Sequence, residues 1–205
     1  MSGPCKANRS RYAVAGMVCL LLGVAGLQST APAAEPTVAN LYELPFDWQD
    51  EHGELARLGQ WQGHTLMLTM AYSICREVCS YTLHRLEQLQ QSAASAGLAV
   101  DIVVVSYDPS VDGPGSWLIY RRRHHLLRTD WHFLTGSDAV TKQFAAALDF
   151  PSWLYDEHRV HDFKILLINP AGEIASTLTW ANRNEDFFAK AAPRCRHPDN
   201  GSCRS

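Results

Sequence analysis

The chain has no C-x-x-C pair, the usual spacing of a redox dithiol, and it spends only six cysteines in 205 residues. The two-pair or pair-plus-histidine-pair spacing of structural zinc does not fit the cysteines that stand close together. No internal repeat and no low-complexity linker is present, which excludes a solenoid and a tethered array. There is no excess of positive charge: 18 Lys and Arg against 21 Asp and Glu give a net charge of −3, with no hint of nucleic-acid binding. The one long apolar run, Ala13 to Leu27, is 15 residues, short of the roughly 20 that a spanning helix needs.

What is present begins with that run. Lys6, Arg9 and Arg11 precede it, and QSTAPAAEP follows it, with an A-x-A pattern at Ala31-Pro32-Ala33. This is the layout of a secretory signal peptide, with an uncleaved N-terminal anchor as the rival reading. Cys19 lies inside the run, in no lipidation context. Both readings export the rest. The expected organisation is a signal peptide or anchor over 1–33, one α/β domain over 34–192, and an irregular cysteine-containing tail over 193–205. With 46% hydrophobic residues the domain can build a core without disulfide staples.

Along the domain, 41–63 reads as a small hairpin turning at Asp50-Glu51-His52-Gly53. HTLMLTMAY (64–72) is a buried strand candidate, followed directly by Cys75 and Cys79. Val78, Thr82, Leu86 and Leu89 then keep helical spacing up to Gly97, a suitable C-cap. LAVDIVVVSYDP (98–109) is the clearest strand, apolar throughout as in parallel strands covered on both faces. A helix over 115–128, a strand over 131–136, a helix over 141–150 capped by Ser137 or Asp138, a strand–turn–strand over 160–180 and a helix over 184–192 complete the order. These units predict a central mixed sheet flanked by helices. A cysteine at an early strand-to-helix junction matches the thioredoxin-like arrangement.

Cys75 and Cys79 are four apart, so at a helix start they share one face. They can ligate one metal ion, or form a disulfide if the first turn is unwound. A helix N-terminus favours the thiolate that both uses need. Two sulfurs are too few for closed zinc but suit Cu(I), and an imidazole would complete a three-coordinate site and admit Cu(II). Of nine histidines, His52, His64, His84, His124, His125, His132 and His197 read as surface or loop residues. His158 and His161 lie where a loop enters a late strand, and in a thioredoxin-like arrangement that loop returns beside the first cysteine helix.

The segments 41–83, VVVSYDPSVDGP, WHFLTG and HDFKILLINPAGEI, with His161 nine residues before Pro170, together resemble the Sco/SenC family over roughly 41–190. The resemblance implies an exported thioredoxin-fold protein of the periplasm or the periplasmic face of the inner membrane, membrane-associated if the N-terminal segment stays. It implies Cu(I) or Cu(II) held by Cys75, Cys79 and His161. Its implied partner is the copper-A-bearing subunit of cytochrome c oxidase or another copper protein, served as copper donor, as thiol reductant, or both. No substrate is turned over in the donor reading. Two departures stand out: Arg76 replaces the proline that often follows the first cysteine, and Asp162 replaces the usual serine after the histidine. Asp162 either orients the imidazole as an acceptor or faces solvent.

The alternatives are a thiol–disulfide oxidoreductase cycling Cys75 and Cys79 against a thiol–disulfide partner, and a thiol peroxidase. The second lacks support, since Tyr72, Ser73 and Ile74 precede Cys75 where a peroxidase carries a Thr or Pro. Asp108 and Asp112 are turn formers or carboxylates near the metal. Tyr72 and Trp131 read as core. Arg121-Arg122-Arg123-His124-His125 reads as a solvated basic face. Cys195 and Cys203, with His197 between them, read as a disulfide-closed loop, with a second soft-metal site as the alternative.

Overall fold

The computed structural model describes residues 38–75, 78–155, 158–182 and 187–189. The hairpin forms where the sequence placed it, as β1 (Trp48–Gln49) and β2 (Leu55–Ala56). Asp50 makes the turn: Oδ1 accepts the N–H groups of His52 and Glu54 at 2.8 and 2.9 Å, and Gly53 takes φ +84°.

The central elements follow in chain order: β3 (Leu66–Ala71), α1 (Val78–Ser95), β4 (Asp101–Ser106), α2 (Pro114–Arg123), β5 (Trp131–Leu134) and α3 (Asp138–Ala147). Next come β6 (Ser152–Tyr155), β7 (His158–His161), β8 (Lys164–Ile168) and β9 (Ile174–Thr179). Five strands make the main sheet in the order β5-β4-β3-β8-β9. β3, β4 and β5 run parallel, and β8 and β9 are antiparallel to their neighbours. This is the expected mixed sheet. All six residues of β3 are buried, because a strand covered on both faces has no wet side on which to place polar residues.

Helices cover the sheet through specific contacts. Trp131 and Phe133, two apart on β5, share a face. The Trp131 indole donates to Gln90 of α1 at 2.9 Å, and the Trp117 ring of α2 lies 5.1 Å from Phe133. Gly97 ends the α1 segment at φ +73°, as the sequence predicts. Ser137, not Asp138, caps α3 by accepting the Val140 N–H. No described helix is long and apolar enough to cross a membrane.

Two expectations change. Helix α2 stops at Arg123 instead of running on to 128. His125 there takes φ +57°, and the chain doubles back under Arg121. That side chain is buried and pairs with Glu51. Its guanidinium also donates to the carbonyls of Leu126 and Arg128 at 2.9 and 2.8 Å. The basic run is therefore only partly a solvated face: Arg122 and Arg123 are exposed, and Arg121 is an internal clamp. Second, the segment before β8 is a two-stranded hairpin, β6–β7, rather than a loop. The signal or anchor over 1–33, the helix over 184–192 apart from 187–189, Arg76, and the tail with Cys195, His197 and Cys203 lie outside the described residues.

Candidate metal centre

The register of β3 and β4 builds the first half of the centre. Ala71 pairs with Ser106 at the strand ends, so the residues that follow leave the same sheet edge together. The chain turns at once, and the Cys75 N–H donates to the Tyr72 carbonyl at 3.1 Å. Asp112 holds this turn from below. Its fully buried carboxylate accepts the Ser73 N–H at 2.9 Å and the Ser106 hydroxyl at 2.7 Å. Asp108, in contrast, accepts the Ser110 N–H within its own turn. Of the two acids, Asp112 reaches toward the cysteines and Asp108 does turn chemistry.

Cys75 precedes α1 and Cys79 sits in its first turn. The Cys79 N–H donates to the Cys75 sulfur at 3.4 Å, so Cys75 satisfies one of the free N–H groups that every helix start presents. The second half of the centre comes from far along the chain. His161 closes β7, and its Nε2 lies 3.2 Å from the Cys79 sulfur and 3.7 Å from that of Cys75. The three donor atoms all lie within 4.8 Å of one another.

His161 is held on several sides. Its Nδ1 lies 3.1 Å from the Asp162 carbonyl oxygen. A carbonyl only accepts, so Nδ1 carries the hydrogen and the Nε2 lone pair faces the sulfurs. The orienting acceptor is thus the backbone carbonyl; the Asp162 side chain is exposed and faces solvent. The Tyr107 ring lies 4.6 Å from the imidazole and the Tyr72 ring 5.9 Å away. Tyr72 is core, as expected, and also a wall of the site. Tyr107 was missed. Its only sequence signal is its place, one residue beyond the end of β4, which the parallel register sets beside Tyr72.

Burial divides the pair of cysteines. Cys79 is 0% exposed and His161 3%, whereas Cys75 is only partly buried. The Cys75 thiol is pulled well below its ordinary range, first by the hydrogen bond from the Cys79 thiol and further by the Cys79 N–H, against the opposing effect of burial. The Cys79 thiol is pushed up by burial and by the negative charge on Cys75. Both directions favour the thiolate at Cys75 and the thiol at Cys79. Among the other described histidines none joins these donors; the side chain of His158 lies outside the description.

The SCO1/SenC family model matches residues 34–194. The chain belongs to the SCO1/SenC family. Solved structures share its thioredoxin-like fold. Arabidopsis thaliana ScoI, solved with copper bound, is 18% identical with a TM-score of 0.60, over 71% of this chain and 90% of that one. A SCO1/SenC lipoprotein from Bacillus anthracis is 20% identical with a TM-score of 0.60, over 65% and 82%. BsSco, described with a disulfide switch and as one of the Sco family of cytochrome c oxidase assembly proteins, is 21% identical with a TM-score of 0.60, over 70% and 85%. No curated protein matches the chain significantly.

The Asp112 brace carries a prediction. Asp112→Ala leaves the Ser73 N–H and the Ser106 hydroxyl without their partner. We expect a loss of about 1–3 kcal/mol in urea unfolding, largely recovered in Asp112→Asn, which keeps an acceptor for Ser73. Burial holds the Asp112 carboxyl above its ordinary range. Its folded-state value exceeds the unfolded one, so its ionisation weakens the fold as pH rises through that window. Asp112→Asn should remove this contribution to the pH dependence.

Proposed function

We propose that this protein is a copper carrier in which Cys75, Cys79 and His161 bind the metal as cargo. The observation that carries the reading is the convergence of two sulfurs and one oriented imidazole nitrogen, two of the three buried. Soft thiolates with an imidazole suit Cu(I) and also admit Cu(II). Uptake would displace the proton on Cys79, since the ligand form is the thiolate. The partly exposed Cys75 is the edge at which copper would enter and leave. Copper in the Arabidopsis relative supports this reading. The description of BsSco supports a role in cytochrome c oxidase assembly, and we assign the copper-A-bearing subunit as recipient. The N-terminal segment, together with the lipoprotein relative, supports export to the periplasm or the periplasmic membrane face.

A second reading rests on the shared proton. A thiolate beside a buried thiol is also the resting state of a dithiol reductant, so the same pair would reduce a partner's cysteine ligands. The test is metal analysis of the reduced full chain beside a Cys75→Ser/Cys79→Ser variant, with sulfur-to-copper charge-transfer absorption for Cu(II). One copper lost in the variant, with that absorption, supports the carrier. A wild-type chain that binds no copper at the centre yet cycles reversibly between dithiol and disulfide would leave the reductant alone.

A further inference from the structure

At the far end of the sheet two histidines flank one aspartate, side chains of types that can ligate a metal, and the copper reading uses none of them. His64 stands just before β3, Asp101 opens β4 and His132 lies in β5. Val103 pairs with His132 across the β4–β5 register, and Asp101 lies two residues before Val103, so Asp101 and His132 project from one face. The Asp101 carboxylate has an imidazole on each oxygen. His64 Nδ1 is 2.8 Å from Oδ2, and His132 Nε2 is 3.8 Å from Oδ1.

The frame around these groups is tied down. The buried Trp61 ring lies 5.0 Å from that of His132. The Tyr42 hydroxyl donates to the His64 carbonyl at 2.8 Å, and the Asp101 N–H donates to the Thr65 carbonyl at 3.1 Å. The side chains differ in freedom. Asp101 and His132 are 23% and 29% exposed, while His64 is 60% exposed. Asp101 and His132 are the more buried pair, and His64 reaches Asp101 from the solvent side.

We infer that His64, Asp101 and His132 form a second, sulfur-free binding site for a divalent cation of the Cu(II) or Zn(II) class. Two imidazoles and a carboxylate are a donor set for such cations, whereas Cu(I) prefers the thiolates. Metal–ligand bonds of about 2.0–2.2 Å place neighbouring donors of a tetrahedral site roughly 3.4 Å apart. The His132–Asp101 separation of 3.8 Å is too long for a hydrogen bond but lies a few tenths of an ångström from that edge. His64 completes the set by giving up its hydrogen bond to Asp101 and turning a ring nitrogen onto the cation. The six residues of β3, at about 3.3 Å each, separate this cluster from the cysteine centre by roughly 20 Å. The two sites would therefore fill independently.

The test uses the full chain carrying Cys75→Ser and Cys79→Ser, so its outcome stands apart from the copper-carrier reading. Zn(II) is titrated by calorimetry, and Cu(II) is examined by electron paramagnetic resonance for nitrogen coupling. The expected result is one equivalent bound through nitrogen, weakened at least tenfold by His64→Gln and by Asp101→Asn. His64→Gln alters an exposed side chain, so an unchanged thermal midpoint will show that the loss is not unfolding. A double-serine chain that binds neither cation would overturn the proposal. So would binding that neither substitution changes, which would place the metal on other histidines or on the tail.

Discussion

Replacing His161 with alanine is expected to weaken copper binding by more than 100-fold, with both cysteines still in place. Groups that merely orient a metal ligand cost about 10–100-fold when removed. In the proposed site His161 would supply a donor atom itself, and its Nε2 is directed at both sulfurs by the Nδ1 hydrogen bond. The variant should also lose the Cu(II) charge-transfer spectrum, because the two remaining sulfurs favour Cu(I). Competition against a calibrated Cu(I) chelator measures the first effect and absorption spectroscopy the second. Affinity within threefold of the wild type would take His161 out of the ligand set and leave a two-thiolate site. Removing the buried ring opens space beside Tyr107 and Tyr72, so the melting curve belongs beside the binding curve.

The largest expected effect on stability lies far from the cysteines. Glu51→Ala should destabilise the protein by about 3–5 kcal/mol, because it leaves the Arg121 charge buried without its partner. The Arg121 side chain is 10% exposed and that of Glu51 4%. The remaining guanidinium bonds go to the neutral carbonyls of Leu126 and Arg128, which do not balance a full charge. The second Glu51 oxygen accepts the Phe133 N–H at 3.0 Å, so the substitution also strands a strand donor. One carboxylate thus joins the β1–β2 turn, the end of α2 and β5. A domain of this size loses roughly 2–4 °C of melting temperature per kcal/mol, which a thermal scan resolves easily. Copper stoichiometry measured well below the transition should stay unchanged. A drop of only a degree or two would mean that water reaches Arg121.

How much of this was readable in advance depends on the range of the interaction. The continuous apolar runs of β3 and β4, the helical spacing after Cys79 and the glycine stop at Gly97 are written in residues within four positions of one another. All three appear where they were expected. The β6–β7 hairpin was not legible. Its strands are four residues each, and the adjacent Trp153 and Leu154 are both exposed, so the described side chains of β6 show no alternation to read. The burial of Arg121 was equally hidden, since it depends on Glu51, 70 positions away. Tyr107 and Asp112 gain their roles from the pairing of Ala71 with Ser106, which no local pattern announces.

By itself, the sequence determined the order of the main-sheet strands and the helices between them, and the chemical character of the donors. Periodicity is a property of neighbours, and the softness of a cysteine pair four residues apart does not depend on the fold. The sequence and its resemblance pointed to His161; only the tertiary structure brings its ring onto the sulfurs and makes Cys75 rather than Cys79 the favoured thiolate. The antiparallel pairing of β3 with β8 carries His161 across 82 positions to Cys79. Packing against the core then strips Cys79 of water while Cys75 keeps some. A charge is stabilised by what surrounds it in space, and those surroundings come from segments distant in the chain.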